Sequence, residues 1–180
     1  TRQLDGAHVA YFSSVANPIG CKVGPTATVD EVLALCEQLN PDRVPGRLTL
    51  ITRMGADKIR DLLPPLLESV GEEAHQVAWV CDPMHGNTFT SPSGHKTRRF
   101  EDVIHEVAGF FEAHRAAGTW PGGIHVELTG NDVTECVGGS GALDVADLGL
   151  RYETVCDPRL NHQQSLDLAF QVAEMLEAGR

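Results

Sequence analysis

The sequence predicts an α/β chain of about four βα units on a parallel sheet, half the complement of an eight-stranded barrel. Three observations carry this expectation. Apolar residues alternate between short β-rich runs and longer stretches of helical period, the pattern of strands covered by helices. At 180 residues the chain has room for a substantial core, since domains most often run to about 100 to 150 residues. Short polar clusters follow stretches that read as buried strands, where the functional groups of such folds gather.

The elements follow in order. A helix is expected over Leu4 to Val15 and a strand over Ile19 to Val23. Thr28 and Glu31 have capping-box spacing, so a helix starts at Thr28, with Val32, Leu35, Cys36 and Leu39 on its inner face. Leu48 to Thr52 reads as a second strand. Ala56 to about Val70 reads as a helix that Pro64 and Pro65 should kink or interrupt, because proline lacks the amide donor. The third strand is Val77 to Cys81, followed by a Gly/Ser/Pro-rich loop from Pro83 to Thr97. The helix Phe100 to Ala117 presents Val103, Val107, Phe110, Phe111 and His114 on one face. The fourth strand is Ile124 to Leu128, and a closing helix runs from about His162 to Leu176. Between Gly130 and Pro158 lie roughly 29 residues with little secondary-structure signal, and loops that long are usually functional or mobile.

Charge and cysteine content narrow the function. Fourteen basic against 25 acidic residues give a net charge of -11, which argues against nucleic acid or an anionic membrane as partner. An anionic ligand must therefore find a local basic cluster. No apolar run approaches the roughly 20 residues that span a bilayer, and no signal peptide opens the chain. Five cysteines without a C-x-x-C pair signal neither a disulfide framework nor a structural zinc site, so a reducing cytoplasm is expected. The opening Thr1, in place of Met, suggests a processed or partial chain.

The most informative residues are His85, Glu127 and Asp157. They stand in Cys81-Asp82-Pro83-Met84-His85-Gly86-Asn87-Thr88, His125-Val126-Glu127 and Cys156-Asp157-Pro158-Arg159-Leu160-Asn161. Intervals of 42 and 30 residues are long enough to hold a helix and return to the same rim. One imidazole and two carboxylates suit Mn²⁺, Co²⁺, Fe²⁺ or Zn²⁺ better than a dedicated Mg²⁺ site. A lone His or Glu after a strand is more often a hydrogen-bonded loop residue, and it is the three together that point to a metal. Lys22 and Arg53 end strands, a position suited to facing an anionic ligand. Lys96, Arg98 and Arg99 form a charge run that reads equally as a solvated surface, with Lys96 the member placed to reach inward. Gly138 to Gly141 lacks the strand and helix of a P-loop and reads as a mobile loop. His105, His114 and Trp79 read as surface or packing residues, and no G-x-S-x-G motif signals a serine nucleophile.

These motifs resemble the class II 3-deoxy-D-arabino-heptulosonate 7-phosphate (DAHP) synthases. The likeness runs through Asn17-Pro18-Ile19-Gly20-Cys21-Lys22-Val23-Gly24-Pro25, Pro45-Gly46-Arg47-Leu48-Thr49, Arg53-Met54-Gly55, Asp61-Leu62-Leu63-Pro64-Pro65, Cys81 to Thr88, Gly122 to Glu127 and Arg151 to Asn161. It implies that residues 1–180 form one domain, the carboxy-terminal half of a (β/α)₈ TIM barrel, with the amino-terminal half absent. The implied activity condenses phosphoenolpyruvate with erythrose 4-phosphate, the first step of the shikimate pathway to aromatic amino acids. The resemblance makes His85, Glu127 and Asp157 metal ligands, with Mn²⁺ the first choice and Co²⁺, Fe²⁺ or Zn²⁺ as alternatives. It makes Lys22 and Arg53 phosphoenolpyruvate contacts and Lys96 a further active-site lysine. The family's fourth ligand is a cysteine of the amino-terminal half, which none of the five cysteines here replaces by motif. The implied partners are that half and further copies in a homo-oligomer, with neither nucleic acid nor membrane. Two other readings stay open: a non-catalytic half-barrel used for binding or assembly, and another metal-dependent sugar-phosphate aldolase.

Overall fold

The structure, a computed structural model, describes residues 1–178. Its first helix, α1 (Ala7–Ser14), leads into the strand β1 (Ile19–Val23), the helix α2 (Val29–Leu39) and the strand β2 (Leu48–Thr52). The helix α3 (Ile59–Glu72) and the strand β3 (Val77–Cys81) follow, then a hairpin of β4 (Thr88–Thr90) and β5 (Lys96–Arg98). The chain closes through α4 (Phe100–Ala117), the short strand β6 (Gly123–Ile124) and α5 (His162–Ala178). The main sheet has the order β1-β2-β3-β6 with every pairing parallel. In the three longer strands alternate residues reach the core, Val23, Leu48, Leu50, Trp79 and Cys81 among them, and the helices cover them with Leu35, Leu39, Leu63, Leu67 and Phe110. A second cluster lies under α4 and α5, where Met84, Phe100, Val103, Val107, Cys136, Leu160 and Leu168 pack together. No helix among the described residues is long and apolar enough to cross a membrane.

Several elements match the sequence reading to the residue, including β1, β2, β3 and α4. The capping box on α2 is formed: Glu31 N–H donates to Thr28 Oγ1 (3.2 Å) and Thr28 N–H to Glu31 Oε2 (3.1 Å). α1 is shorter than expected at both ends, because a turn closed by Gly6 N–H on the Gln3 carbonyl precedes it.

Pro64 and Pro65 do not interrupt the helix, as both lie inside a continuous α3. The carbonyls that lose their donors belong to Arg60 and Asp61, on the exposed side, where water can satisfy them. That helix also begins later than expected, because the turn at Gly55, with φ +91°, offers its carbonyl to Lys58 and Ile59 N–H first. The loop expected over Pro83 to Thr97 contains the β4–β5 hairpin. The fourth strand is two residues long rather than five, because the β3 ladder ends at the Cys81–Ile124 pair and Asp82 then turns away. Beyond it the chain stays tied by an isolated bridge between Leu128 and Leu160. The segment from Gly130 to Pro158 holds the 3₁₀ turn Val145–Asp147 and residues of two isolated bridges, Arg99 with Val137 and Gly138 with Leu143, and is otherwise irregular, as the sequence suggested.

Candidate metal centre and anion pocket

At the carboxyl end of β3 the chain turns at once, and the first turn residue organises the site. Asp82 is buried, and its Oδ1 accepts from the backbone N–H groups of Met84 (3.0 Å) and His85 (3.2 Å). Its Oδ2 meets Lys22 Nζ at 2.5 Å and His85 Nδ1 at 2.7 Å. Burial alone would raise the Asp82 pKa, but the bonds from Lys22 and His85 outweigh it and hold the carboxyl below its ordinary value. An ionised Asp82 accepts a hydrogen bond from Nδ1–H and so presents Nε2 of His85 to the opposite side.

On that side stand the two expected carboxylates. His85 Nε2 lies 3.4 Å from Glu127 Oε1 and 3.8 Å from Asp157 Oδ2, and one ligand atom from each of the three residues falls within 4.8 Å of the others. Donor atoms on one divalent ion, at bonds of about 2.1 Å, stand about 3.0 to 3.4 Å apart, so small side-chain rotations suffice to close this set on an ion. The donor chemistry fits, with one imidazole nitrogen oriented by a carboxylate and two further carboxylates half-buried.

Glu127 and Asp157 reach this point differently from His85. Glu127 lies three residues beyond β6, and Asp157 follows no strand at all, contrary to the expectation that each polar cluster ends one. Glu127 is fixed by Arg98, a fully buried guanidinium whose Nη1 donates to Glu127 Oε2 (2.8 Å) and to the Pro158 carbonyl. Arg98 Nε donates to the Met84 carbonyl (2.8 Å) and to Thr88 Oγ1 (2.9 Å). One side chain thus ties Glu127 to the chain neighbours of His85 and Asp157. The solvated reading of the charge run therefore fails for Arg98, which occupies the end of β5 and points inward. Lys96, two residues earlier, is exposed with its Nζ 3.4 Å from Asp157 Oδ1.

The cations of the first two strand ends lie on the other flank. Lys22, Arg53, Arg2 and His85 line one open pocket beside the three ligand candidates. Arg53 Nη2 donates to the His85 carbonyl (2.7 Å), and Lys22 Nζ stands 3.4 Å from His85 Nδ1. A close approach of two turns makes this possible. A Cβ on Gly86 would meet Gly55 N at 2.5 Å, so the segments after β2 and β3 touch only because both are glycine there. Glu106, buried on α4, clamps the same contact: its Oε1 accepts from Met54 N–H (2.7 Å) and Gly55 N–H (2.9 Å), and its Oε2 from Asn87 Nδ2 (2.7 Å). Burial pushes its carboxyl up to about 7 against the pull of those three donors.

Sequence reasoning missed Asp82, Arg98, Glu106 and Glu135, all of them buried charges. Two left a trace. Asp82 stands three residues before His85, the spacing of a side chain that closes a turn on its own backbone, and Glu106 interrupts the apolar face formed by Val103, Val107 and Phe110. In the Gly138 to Gly141 loop two backbone donors that could meet an anion are already engaged. Gly139 N–H donates to Glu101 Oε1 (2.9 Å) and Ser140 N–H to Asp167 Oδ2 (3.2 Å), so carboxylates already take these donors. His114 and Trp79 pack in the core as expected. Burial pushes the Cys36 and Cys136 thiols up to about 12.

The carboxyl rim of this parallel α/β sheet carries a candidate divalent-metal site beside a cationic pocket. Residues 1–173 match the Class-II DAHP synthetase family, and the chain belongs to that family. It is 65% identical over 175 residues to a Streptomyces coelicolor protein named phospho-2-dehydro-3-deoxyheptonate aldolase, covering 97% of this chain and 39% of that protein. A protein of the same name from Streptomyces lividans is 66% identical over 143 residues, covering 79% of this chain and 97% of that protein. One from Neurospora crassa is 50% identical over 176 residues, with 97% of this chain and 37% of that protein covered. The chain thus spans about two fifths of the length of the longer curated relatives it matches.

Proposed function

We propose that this chain is the carboxy-terminal half of a (β/α)₈ barrel that condenses phosphoenolpyruvate with erythrose 4-phosphate. The products are 3-deoxy-D-arabino-heptulosonate 7-phosphate and phosphate, with water consumed. The observation that carries the reading is the convergence of His85, Glu127 and Asp157 within 4.8 Å, beside a pocket lined by Arg2, Lys22 and Arg53, in a chain otherwise strongly acidic. Both outer edges of the parallel sheet, β1 and β6, lack a strand partner among the described residues, which is what half of a closed barrel would offer to the other half.

His85, Glu127 and Asp157 would hold the ion, Mn²⁺ by first preference, with Co²⁺, Fe²⁺ or Zn²⁺ compatible with the same donors. Bound there, a divalent ion supplies Lewis-acid polarisation of a carbonyl oxygen. The chain's own residues do the rest. Arg53 offers a planar fork to carboxylate or phosphate, and Lys22, with one proton engaged by Asp82, keeps two for the same anion. Holding phosphoenolpyruvate by its charged groups leaves its C3 free to form the bond to the aldehyde carbon. Lys96, on the far flank beside Asp157, would meet the second substrate. Water adds at C2 of phosphoenolpyruvate, and the C–O bond to phosphate breaks.

The test follows loss of phosphoenolpyruvate absorbance with Mn²⁺ and both substrates. The 180-residue chain is assayed alone and mixed with a separately expressed amino-terminal portion of the Streptomyces coelicolor relative. Turnover only on mixing is expected, because the half-open site admits water and lacks its remaining ligand. Full turnover by the chain alone contradicts the half-barrel, and consumption of the aldehyde without phosphate release favours another sugar-phosphate aldolase.

A further inference from the structure

Asp157 sits in a segment, residues 151–159, that has neither helix nor strand. A side chain on irregular backbone cannot hold a fixed place unless something other than a ladder fixes that backbone. Here the fixing group is the Glu135 carboxylate, which has no solvent exposure. Its Oε1 accepts from the N–H groups of Glu153 (3.2 Å) and Thr154 (2.9 Å) and from Arg159 Nη2 (2.6 Å). Its Oε2 accepts from Arg159 N–H (2.8 Å) and Arg159 Nε (2.9 Å). These five bonds grip the segment three residues before Asp157 and two residues after it. Between the grips a smaller bond closes the turn, as Thr154 Oγ1 donates to the Asp157 carbonyl (2.9 Å). Glu135 is itself held from behind, because its own carbonyl accepts from the buried Thr97 hydroxyl (2.9 Å) in β5. The clasp is therefore anchored to the hairpin that also carries Arg98, the residue that fixes Glu127.

We propose that Glu135 is the positioning residue for Asp157, setting the metal affinity of the site through a loop that no regular element supports. The Glu135 carboxylate bonds Glu153, Thr154 and Arg159 and neither His85 nor Glu127, so its effect reaches the ion through the place of the Asp157 carboxylate. This inference rests on the metal reading given above. Both acceptors of the carboxylate are needed at once, so an amide in its place turns one acceptor into a donor facing Arg159 or the backbone N–H groups.

The experiment titrates Mn²⁺ into the 180-residue chain and reads the free ion by electron paramagnetic resonance, for wild type, Glu135→Gln, Asp157→Asn and the double variant. Loss of a group that orients a ligand typically weakens metal affinity by about 10- to 100-fold, and Glu135→Gln is expected in that range. In the Asp157→Asn background the same change should add little, because the group it positions no longer ligates. A general loss of structure would instead weaken both backgrounds by the same factor, and that result overturns the proposal. So does unchanged affinity in Glu135→Gln while the wild type binds. No binding by the wild type overturns the metal reading and this inference with it. If Glu135→Gln fails to fold, Arg159→Lys decides in its place. It removes the guanidinium fork and leaves the three backbone donors, so a loss of about five-fold that vanishes in the Asp157→Asn background is expected, and unchanged affinity overturns the proposal.

Discussion

On the flank formed by β1, β2 and β3, the side chains Lys22, Arg53 and His85 ride on or just beyond backbone held by a parallel ladder. On the flank formed by residues 126–160, Glu127 and Asp157 ride on backbone held by Arg98 and Glu135. The strands of the first flank are fixed by hydrogen bonds that any residue's backbone can make and by apolar burial spread over many side chains, and only the turn that carries His85 leans on buried charges, Asp82 and Glu106. The second is fixed by a few buried charges, each of which must keep its own partner. Damage to the first should therefore cost stability broadly and leave the metal site's geometry intact, whereas damage to the second should strike the metal site itself.

The largest expected effect lies on the second flank. Arg98→Ala removes the counter-charge of Glu127 and the donor to the carbonyls of Met84 and Pro158. Breaking such a pair costs about 3 to 5 kcal/mol, read from urea unfolding, and Mn²⁺ affinity should fall with it. A variant that loses stability but binds Mn²⁺ as before breaks the comparison.

On the first flank, Leu50→Ala opens a cavity under β2, where the side chain is fully buried. The expected cost is about 3 kcal/mol, with Mn²⁺ affinity unchanged under conditions where the variant is folded. Loss of metal binding at full folding would show that the ladder alone does not carry His85.

The smallest of the three effects sharpens the contrast through pH. His114, on α4 against Trp79 and Phe110, is pushed down to about 4 by burial. The unfolded chain takes up this proton near pH 6.5 and the folded chain only near 4, so stability falls as pH drops through that window and levels off below it. Measured as the difference in unfolding free energy between wild type and His114→Gln, the slope should be present between those values and flat above about pH 7.

The same contrast explains what could be read beforehand. β1, β2, β3 and α4 were legible because burial on a sheet or a helix face repeats with a local period, and the Thr28 and Glu31 cap because it is closed within four residues. The brevity of β6 was not, since it is set by where β3 turns away at Asp82, a partner far off in sequence. Of the site, His85, Glu127, Asp157, Lys22 and Arg53 stood out as polar groups in strong local contexts, and the structure brings them to one rim. Arg98 was indistinguishable from its neighbour Arg99, which is exposed, because only the distant Glu127 and Pro158 decide which of the two goes inside. Glu135 left no sign, as its partners lie 18 to 24 residues away on irregular backbone.

The most direct test of the account is pulsed electron paramagnetic resonance of Mn²⁺ bound to the 180-residue chain. If the His85 imidazole, on the turn after β3, and two loop-borne carboxylates share one ion, the spectrum carries the coupling of a single directly bound nitrogen, and His85→Ala abolishes it. A spectrum without nitrogen coupling, or one that His85→Ala leaves unchanged, would contradict the account.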